Sequence, residues 1–364
     1  MKNKIYYGLI MAGGIGSRFW PMSRQEFPKQ FIDIFGTGKT LLKQSFDRLN
    51  TFCETDQIGV ITNTAYKDIT NSQLPNINQN MLLLEPTRRN TAPCIAYAAR
   101  KIALKNPDAA LIISPSDHLI LDEQKFQESC IKALQFSIQS NVLVTLGIKP
   151  HRPDTGYGYI QYDSSANDKS QNGIFKVKSF TEKPNLELAK TFVQSGEFLW
   201  NTGIIICKAQ TMIDAIAKYM PELDLLFKEG EQYYYTEGEG AFLEQAYARS
   251  TNISIDYGVM EKANNVYVLP VDFGWSDLGT WGSLYENLPK DEALNAVVGN
   301  NTIFYNAQNC IVHSSSNKLI AIHGIDDCIV VDSNDVLLIC RKEDEQQIRE
   351  IVTNVKMVKG GKYV

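Results

Sequence analysis

Strand-like and helix-like segments alternate through the first 290 residues of this chain, and that alternation restricts its fold more than any other feature. Ile5–Met11 is a short apolar run that ends at glycines. Leu41–Leu49 has helical spacing, Ile58–Thr62 reads as a strand, and Thr91–Leu104 reads as a helix behind a polar cap. Ala109–Ser114, Phe126–Ile138 and Val142–Leu146 continue as strand, helix and strand, and Asn185 caps a helix over Leu186–Val193. Short apolar runs interleaved with helices belong to a sheet buried on both faces. The pattern predicts an α/β domain with a mostly parallel sheet.

The texture changes near Pro289. Between Asn301 and Cys340 helical periodicity is absent, and short β-rich pieces alternate with Asn, Asp, Ser and Gly turns. Cys310–Ile322 lies over Cys328–Cys340 at an offset of 18 residues. A parallel β-helix turn of three short strands has that period, with a plain β-meander as the alternative. Glu343–Val355 reads as a closing amphipathic helix. The expected division is residues 1–289 as a catalytic domain and 290–364 as a small C-terminal β-helix-like domain that adds no catalytic group. Its apolar rungs need a covering surface, either the first domain or a second copy of the chain in a homodimer.

With 44% hydrophobic and 21% charged residues the chain has ample material for a core, and its net charge of −5 argues against a nucleic-acid partner. No segment approaches the ~18 consecutive apolar residues of a membrane span. The run up to Met11 leads into a glycine loop and lacks a small-residue cleavage site, so it reads as a first strand rather than a signal peptide. Seven cysteines without a C-x-x-C spacing point to buried free thiols and a cytoplasmic protein.

The most informative stretch follows the first strand: Met11-Ala-Gly-Gly-Ile-Gly-Ser-Arg-Phe-Trp-Pro-Met-Ser-Arg-Gln-Glu-Phe-Pro-Lys-Gln-Phe. Gly13, Gly14 and Gly16 remove side chains where a backbone approaches a ligand, and their N–H groups can face phosphate oxygens. Arg18 and Lys29 add positive charge at the same place. The bland alternative is a tight turn. The dinucleotide-binding fingerprint is not completed, and Gly38-Lys39-Thr40 only mimics a P-loop ending, because the required first glycine falls on Asp33. Gly36–Thr40 is read as a turn opening the helix at Leu41.

This stretch resembles the signature of the sugar-phosphate nucleotidyltransferases. Trp20–Arg24 and Pro28–Phe31 narrow the resemblance to the mannose-1-phosphate guanylyltransferases. It continues at Glu85–Pro93, Ser114–His118, Phe180–Pro184, Trp200–Gly203, Ser254–Lys262 and Gly274–Trp281, and so spans essentially the whole chain. The fold it implies is Rossmann-like, the substrates are GTP and mannose 1-phosphate, and the products are GDP-mannose and pyrophosphate.

Asp117 follows a buried strand and Asp277 lies in a second turn. Mg²⁺ takes one or two carboxylates plus phosphate oxygens, and the resemblance implies a Mg²⁺ between these two residues. The alternative is that each aspartate caps a following helix. His118 is read as structural because Mg²⁺ disfavours imidazole, and His151, His313 and His323 form no ligand spacing with it.

Glu182 can accept hydrogen bonds from sugar hydroxyls, Lys183 can pair with a sugar phosphate, and Asn201 offers both donors and an acceptor. The resemblance carries hexose and phosphate binding to Gly158, Glu182, Lys183 and Asn201. Asp256 and Lys262 match a further motif, in which Gly258 stands where the family usually has alanine. The resemblance also places guanine near Arg89 and Asn90, although Asn90 or Thr91 can equally cap the helix that follows. Arg18, Lys29 and Lys183 are the expected catalytic cations. The same chemistry with another base or hexose is the near alternative. A catalytically silent regulatory relative is the distant one, and it should have lost one of these charges. An appended isomerase domain is not expected in 364 residues.

Overall fold

The computed structural model describes residues 2–162 and 173–364. The chain divides into two compact units: Met1–Gly13, Phe46–Pro115 and Ile120–Trp275 form the first, and Gly14–Ser45, Ser116–Leu119 and Ser276–Val364 form the second. Up to that last boundary the strands in chain order are β1 (Tyr6–Met11), β2 (Ile58–Asn63), β3 (Leu82–Glu85), β4 (Ala110–Pro115), the two-residue β5 (Leu119–Ile120), β6 (Leu143–Ile148), β7 (Gly158–Tyr162), β8 (Phe175–Glu182), β9 (Phe198–Lys208), β10 (Val266–Val271) and the two-residue β11 (Trp275–Ser276).

The first unit is built on a nine-stranded sheet in the order β3-β2-β1-β4-β9-β6-β10-β8-β7. Its apolar runs explain the parallel part. Leu9, Ile10, Ile58, Val60, Leu111, Ile112 and Ile113 are almost wholly buried, as expected where helices cover both faces. β1 lies parallel between β2 and β4, with Gly8 opposite Ile58 and Tyr6 opposite Ala110. β6 and β10 are parallel to each other, and β9 runs antiparallel between β4 and β6. β8 is antiparallel to both β10 and β7. The sheet is thus mixed, with β8 and β9 running against the rest.

Helix Thr91–Lys105 carries alanines at 92, 96, 98 and 99, which lets it sink into the core almost all round. Helices Ala209–Tyr219, Pro221–Lys228 and Glu239–Arg249 complete that core through Met212, Phe227 and Tyr247. Among the described residues no helix is long and apolar enough to cross a membrane. The seven cysteines are free thiols, six of them buried.

In the second unit the strands are β12 (Ala296–Val298), β13 (Thr302–Tyr305), β14 (Ile311–Ser314), β15 (Ile320–His323), β16 (Cys328–Asp332) and β17 (Leu337–Arg341). The 18-residue offset is the register itself. Ile311 faces Ile329 between parallel β14 and β16, and Thr302 faces Ile320 between parallel β13 and β15. The parallel stacking excludes the meander. β17 turns back antiparallel on β16 and ends the stack. The closing helix is Ile348–Lys359, later than the expected start, because the acidic stretch Lys342–Gln347 forms a 3₁₀ lead-in whose Glu345 accepts from the Gly282 N–H at 2.7 Å. One core joins Phe19, Trp20, Ile34, Trp281, Ile311, Ile329, Val331 and Ile348.

Candidate active site

In the second unit the glycine loop is tied down by its own backbone. Ser23 Oγ donates to Ile15 O at 2.5 Å and Gln30 Nε2 donates to Gly14 O at 3.0 Å. Gly16 has φ 68°, and a Cβ there would fall 2.6 Å from Lys29 Cβ, so no other residue fits. Arg18 lies in the 3₁₀ turn Ser17–Phe19, half-buried, with no hydrogen-bond partner for its Nε. Burial and then the Arg18 charge lower the pKa of Arg349 on the closing helix. Gly38-Lys39-Thr40 is a turn. The Asp33 carboxylate accepts from the Thr37 N–H at 3.0 Å, and Thr40 Oγ1 accepts from the Lys43 N–H at the start of helix Leu41–Leu49.

Lys29 is only 4% exposed. Its Nζ pairs with Asp117 Oδ2 at 2.8 Å and donates to Asp277 O at 3.0 Å and Leu278 O at 2.9 Å. One ammonium therefore touches both sequence-predicted aspartates. Burial works to raise the Asp117 carboxyl, but the Lys29 and His118 charges outweigh it and hold the group below the usual carboxylate range. His118 Nε2 stands 4.0 Å from Asp117 Oδ1.

Neither aspartate caps a helix. Helix Glu123–Ser140 is capped by Asp122, and helix Trp281–Glu286 by a Thr280–Ser283 capping box. Asp277 Oδ1 instead accepts from the Gly279 N–H at 2.9 Å. The donor set is two hard carboxylates, and among the described residues no group of three or more His, Cys, Asp or Glu is suited to a metal. That set fits Mg²⁺, which fills its remaining positions with phosphate oxygens and water.

In the first unit β8 delivers Glu182 and Lys183, which pair with each other. Gly158 sits opposite Glu182 across β7 and β8. A Cβ there would lie 2.4 Å from Glu182 Oε2 and 3.3 Å from Asn201 Cβ, so the missing side chain makes room for both. Asn201 Nδ2 donates to Asp256 Oδ1 at 3.2 Å, and Asn201 Oδ1 accepts from Thr145 Oγ1 at 2.9 Å. Burial, and then the Glu182 charge, pushes Asp256 up to about 6. Gly158, Glu182, Lys183, Asn201 and Asp256 thus form one cluster. Glu261, which sequence reasoning did not single out, joins it by accepting from the Glu182 N–H at 3.3 Å. Asp256–Met260 is a π turn, a feature frequent at functional sites. Met220 explains the glycine at 258, since its sulfur fills the space a methyl group would need, 2.4 Å from the built Cβ.

Arg89 and Asn90 are engaged locally. Arg89 Nε donates to Tyr247 O at 2.9 Å, and Asn90 Oδ1 accepts from the Thr91 N–H at 3.0 Å to open helix Thr91–Lys105. The acid that ends β3, Glu85, is buried beside them. Burial pushes it to about 7, with the nearby Tyr247 hydroxyl and the Arg88 charge offsetting part of the rise. Neither Glu85 Oε1 nor the Tyr247 hydroxyl is in hydrogen-bonding geometry with a partner. Asn90, Lys183 and Leu278 all have positive φ, at 64°, 48° and 47°, and such strained backbones cluster at ligand sites.

The profile of the nucleotidyl transferase family matches residues 7–293, and that of a mannoseP isomerase/GMP-like β-helix domain matches residues 300–355. A mannose-1-phosphate guanylyltransferase from Salmonella montevideo is 37% identical over 356 residues, covering 96% of this chain and 74% of that protein. The alginate biosynthesis protein AlgA of Pseudomonas aeruginosa is 34% identical over 353 residues, covering 95% and 71%. A crystal structure from Thermus thermophilus, described as a mannose-1-phosphate geranyltransferase, matches with a TM-score of 0.87 at 30% identity, over 97% of this chain and 99% of that one. The profile covers most of the chain and the relatives align along nearly all of it, so this chain belongs to the nucleotidyl transferase family and is an enzyme.

Proposed function

We propose that the chain transfers GMP from GTP to α-D-mannose 1-phosphate, releasing pyrophosphate and GDP-mannose. The observation that carries this reading is similarity along almost the whole chain to proteins named mannose-1-phosphate guanylyltransferase. Residues 1–289 would form the catalytic domain and 290–364 a supporting one. Backbone N–H groups of Gly13, Gly14 and Gly16 would cradle the triphosphate, and Arg18, with its free Nε, would neutralise it. Lys29 would exchange a carbonyl partner for a phosphate oxygen. Lys183 would leave Glu182 to hold the attacking phosphate, while Glu182, Asn201 and Asp256 accept and donate at the sugar hydroxyls. Asp117 and Asp277 would hold Mg²⁺, which when bound supplies charge neutralisation at the α-phosphate. Both substrates are anions, so catalysis rests on positioning and charge stabilisation without a covalent nucleophile. A screen of nucleoside triphosphates against hexose 1-phosphates, read by pyrophosphate release, tests this. GTP with mannose 1-phosphate should give the highest kcat/KM, and a higher value for UTP or dTTP with glucose 1-phosphate overturns it.

A further inference from the structure

At one end of the first unit's sheet, where β4, β6 and β10 begin and β9 ends, lies a cavity of about 630 Å³, the size of a small-molecule pocket. β9 carries Asn201 at the candidate sugar cluster and Lys208 in the cavity wall. Along an extended strand these two stand roughly 23 Å apart at ~3.3 Å per residue, so the cavity is a separate place. Helix Ala209–Tyr219 starts in its wall. The N-cap of that helix is Lys208, whose side chain cannot accept a hydrogen bond, and its first turn holds no acid. Helix starts are usually capped by a side-chain oxygen and favour negative charge, and neither is supplied here. The Ala209 N–H is bonded to Ala109 O at 2.8 Å, which leaves those of Gln210 and Thr211 facing the cavity. Thr211 is only 7% exposed, and among the described residues its hydroxyl has no hydrogen-bond partner. A buried hydroxyl left unpaired calls for an explanation. Lys208 and Lys218, also in the wall, have no carboxylate partner among the described residues.

We propose that this cavity binds a phosphorylated hexose, its phosphate held at the start of helix Ala209–Tyr219. The phosphate accepts from the Gln210 and Thr211 N–H groups, the Thr211 hydroxyl and the Lys208 ammonium. The rest of the wall argues for a sugar. Asp108, Asn141 and Asn265 line it, and a carboxylate accepts from hydroxyls while amides both accept and donate. Asp214, the second carboxylate, already accepts from Gln210 Nε2 at 2.8 Å. Two carboxylates disfavour a polyphosphate, whereas a single phosphate meets two lysines and the helix start. A nucleoside is disfavoured as well. Tyr219 is the one aromatic residue lining the cavity, and Lys218 Nζ already lies 5.1 Å from its ring centroid. Inorganic phosphate alone is too small to use the amide-lined part. None of this depends on which nucleotide the enzyme uses.

The test is calorimetric titration of the full chain with the 6-phosphates of glucose and mannose, with the two free sugars, and with inorganic phosphate. At least one hexose 6-phosphate should bind, one per chain, at about 1 mM or tighter. Lys208→Gln and Thr211→Val should each weaken it about tenfold, the worth of one hydrogen bond to a charged group. Lys183→Ala, at the candidate sugar cluster, should leave the affinity unchanged. Inorganic phosphate and the free sugars should each bind at least about tenfold more weakly than the sugar phosphate. Should either cavity variant not fold, Lys218→Gln on the exposed face decides, with an expected weakening of about threefold. No binding of either hexose 6-phosphate at ~10 mM overturns the proposal. So does wild-type affinity in the folded cavity variants, or inorganic phosphate or a free sugar binding as tightly as the sugar phosphate. Binding that is lost in Lys183→Ala instead belongs to the candidate active site and overturns it too.

Discussion

Asp117 and Asp277 open no helix, so an amide at either position tests ligation without disturbing a cap. Asp277→Asn should lose about 100-fold or more in kcat while keeping its melting temperature. Asp117→Asn should lose as much activity and also melt lower, because it strips the buried Lys29 ammonium of its counter-charge. If both residues serve one ion, the double variant should lose far less than the product of the two losses. Added Mg²⁺ should restore part of each single loss. Activity against Mg²⁺ concentration, with melting curves for the four proteins, checks this, and near-wild-type turnover in either single variant removes that residue from the site. The sequence singled out these aspartates through the family resemblance of Ser114–His118 and Gly274–Trp281, and the fold brings Lys29 Nζ to the Asp117 carboxylate and the Asp277 carbonyl. Glu261 was not singled out, because only the fold brings its carboxylate to the Glu182 N–H.

At the scale of elements the 18-residue offset became a register. Stacked rungs need like residues at like positions, and Ile311 over Ile329 and Val312 over Val330 meet that need. Ile329 is fully buried, so Ile329→Ala should cost about 2–5 kcal/mol in urea unfolding. A loss below about 1 kcal/mol would mean that this rung carries little of the fold. Ile329 also shares its core with Phe19 and Trp20, which follow Arg18, so the same variant should raise KM for the triphosphate. The strands of the parallel sheet were readable from apolar runs. The helices between Ala209 and Arg249 were not assigned from sequence, although Ala209, Met212, Ile213 and Ile216 line one apolar face of the first of them. The closing helix was placed early because its acidic lead-in has helical spacing but forms a 3₁₀ turn.

For the whole molecule, two buried groups, His313 and Glu85, and the half-buried Asp256 set opposing responses to pH. His313 falls from its usual 6.5 to about 4, driven by burial, with Nε2 near Ile34 O and Nδ1 unpartnered. The unfolded chain therefore binds more protons between those values, and the His313 contribution is lost as pH falls through them. Asp256 rises from 3.8 to about 6 and Glu85 from 4.5 to about 7, so the folded chain holds more protons and their contribution is lost as pH rises. Urea midpoints across this range should show less acid weakening for His313→Asn than for wild type and more for Asp256→Asn. Parallel curves for all three proteins would contradict both assignments.

The stretch after the glycine loop and the β-helix rungs share one hydrophobic core, and that makes the C-terminal stack a poor candidate for exchange. Stacks of this kind look modular, and a recombinant made by swapping tails between relatives at residue 290 would respect their sequence boundary. It would still cut through the contacts among Phe19, Trp20, Ile311 and Ile329. Such a chimera inherits mismatched halves of a single interior, so the loop and the tail are bound to diverge together, each substitution in one narrowing what the other can accept.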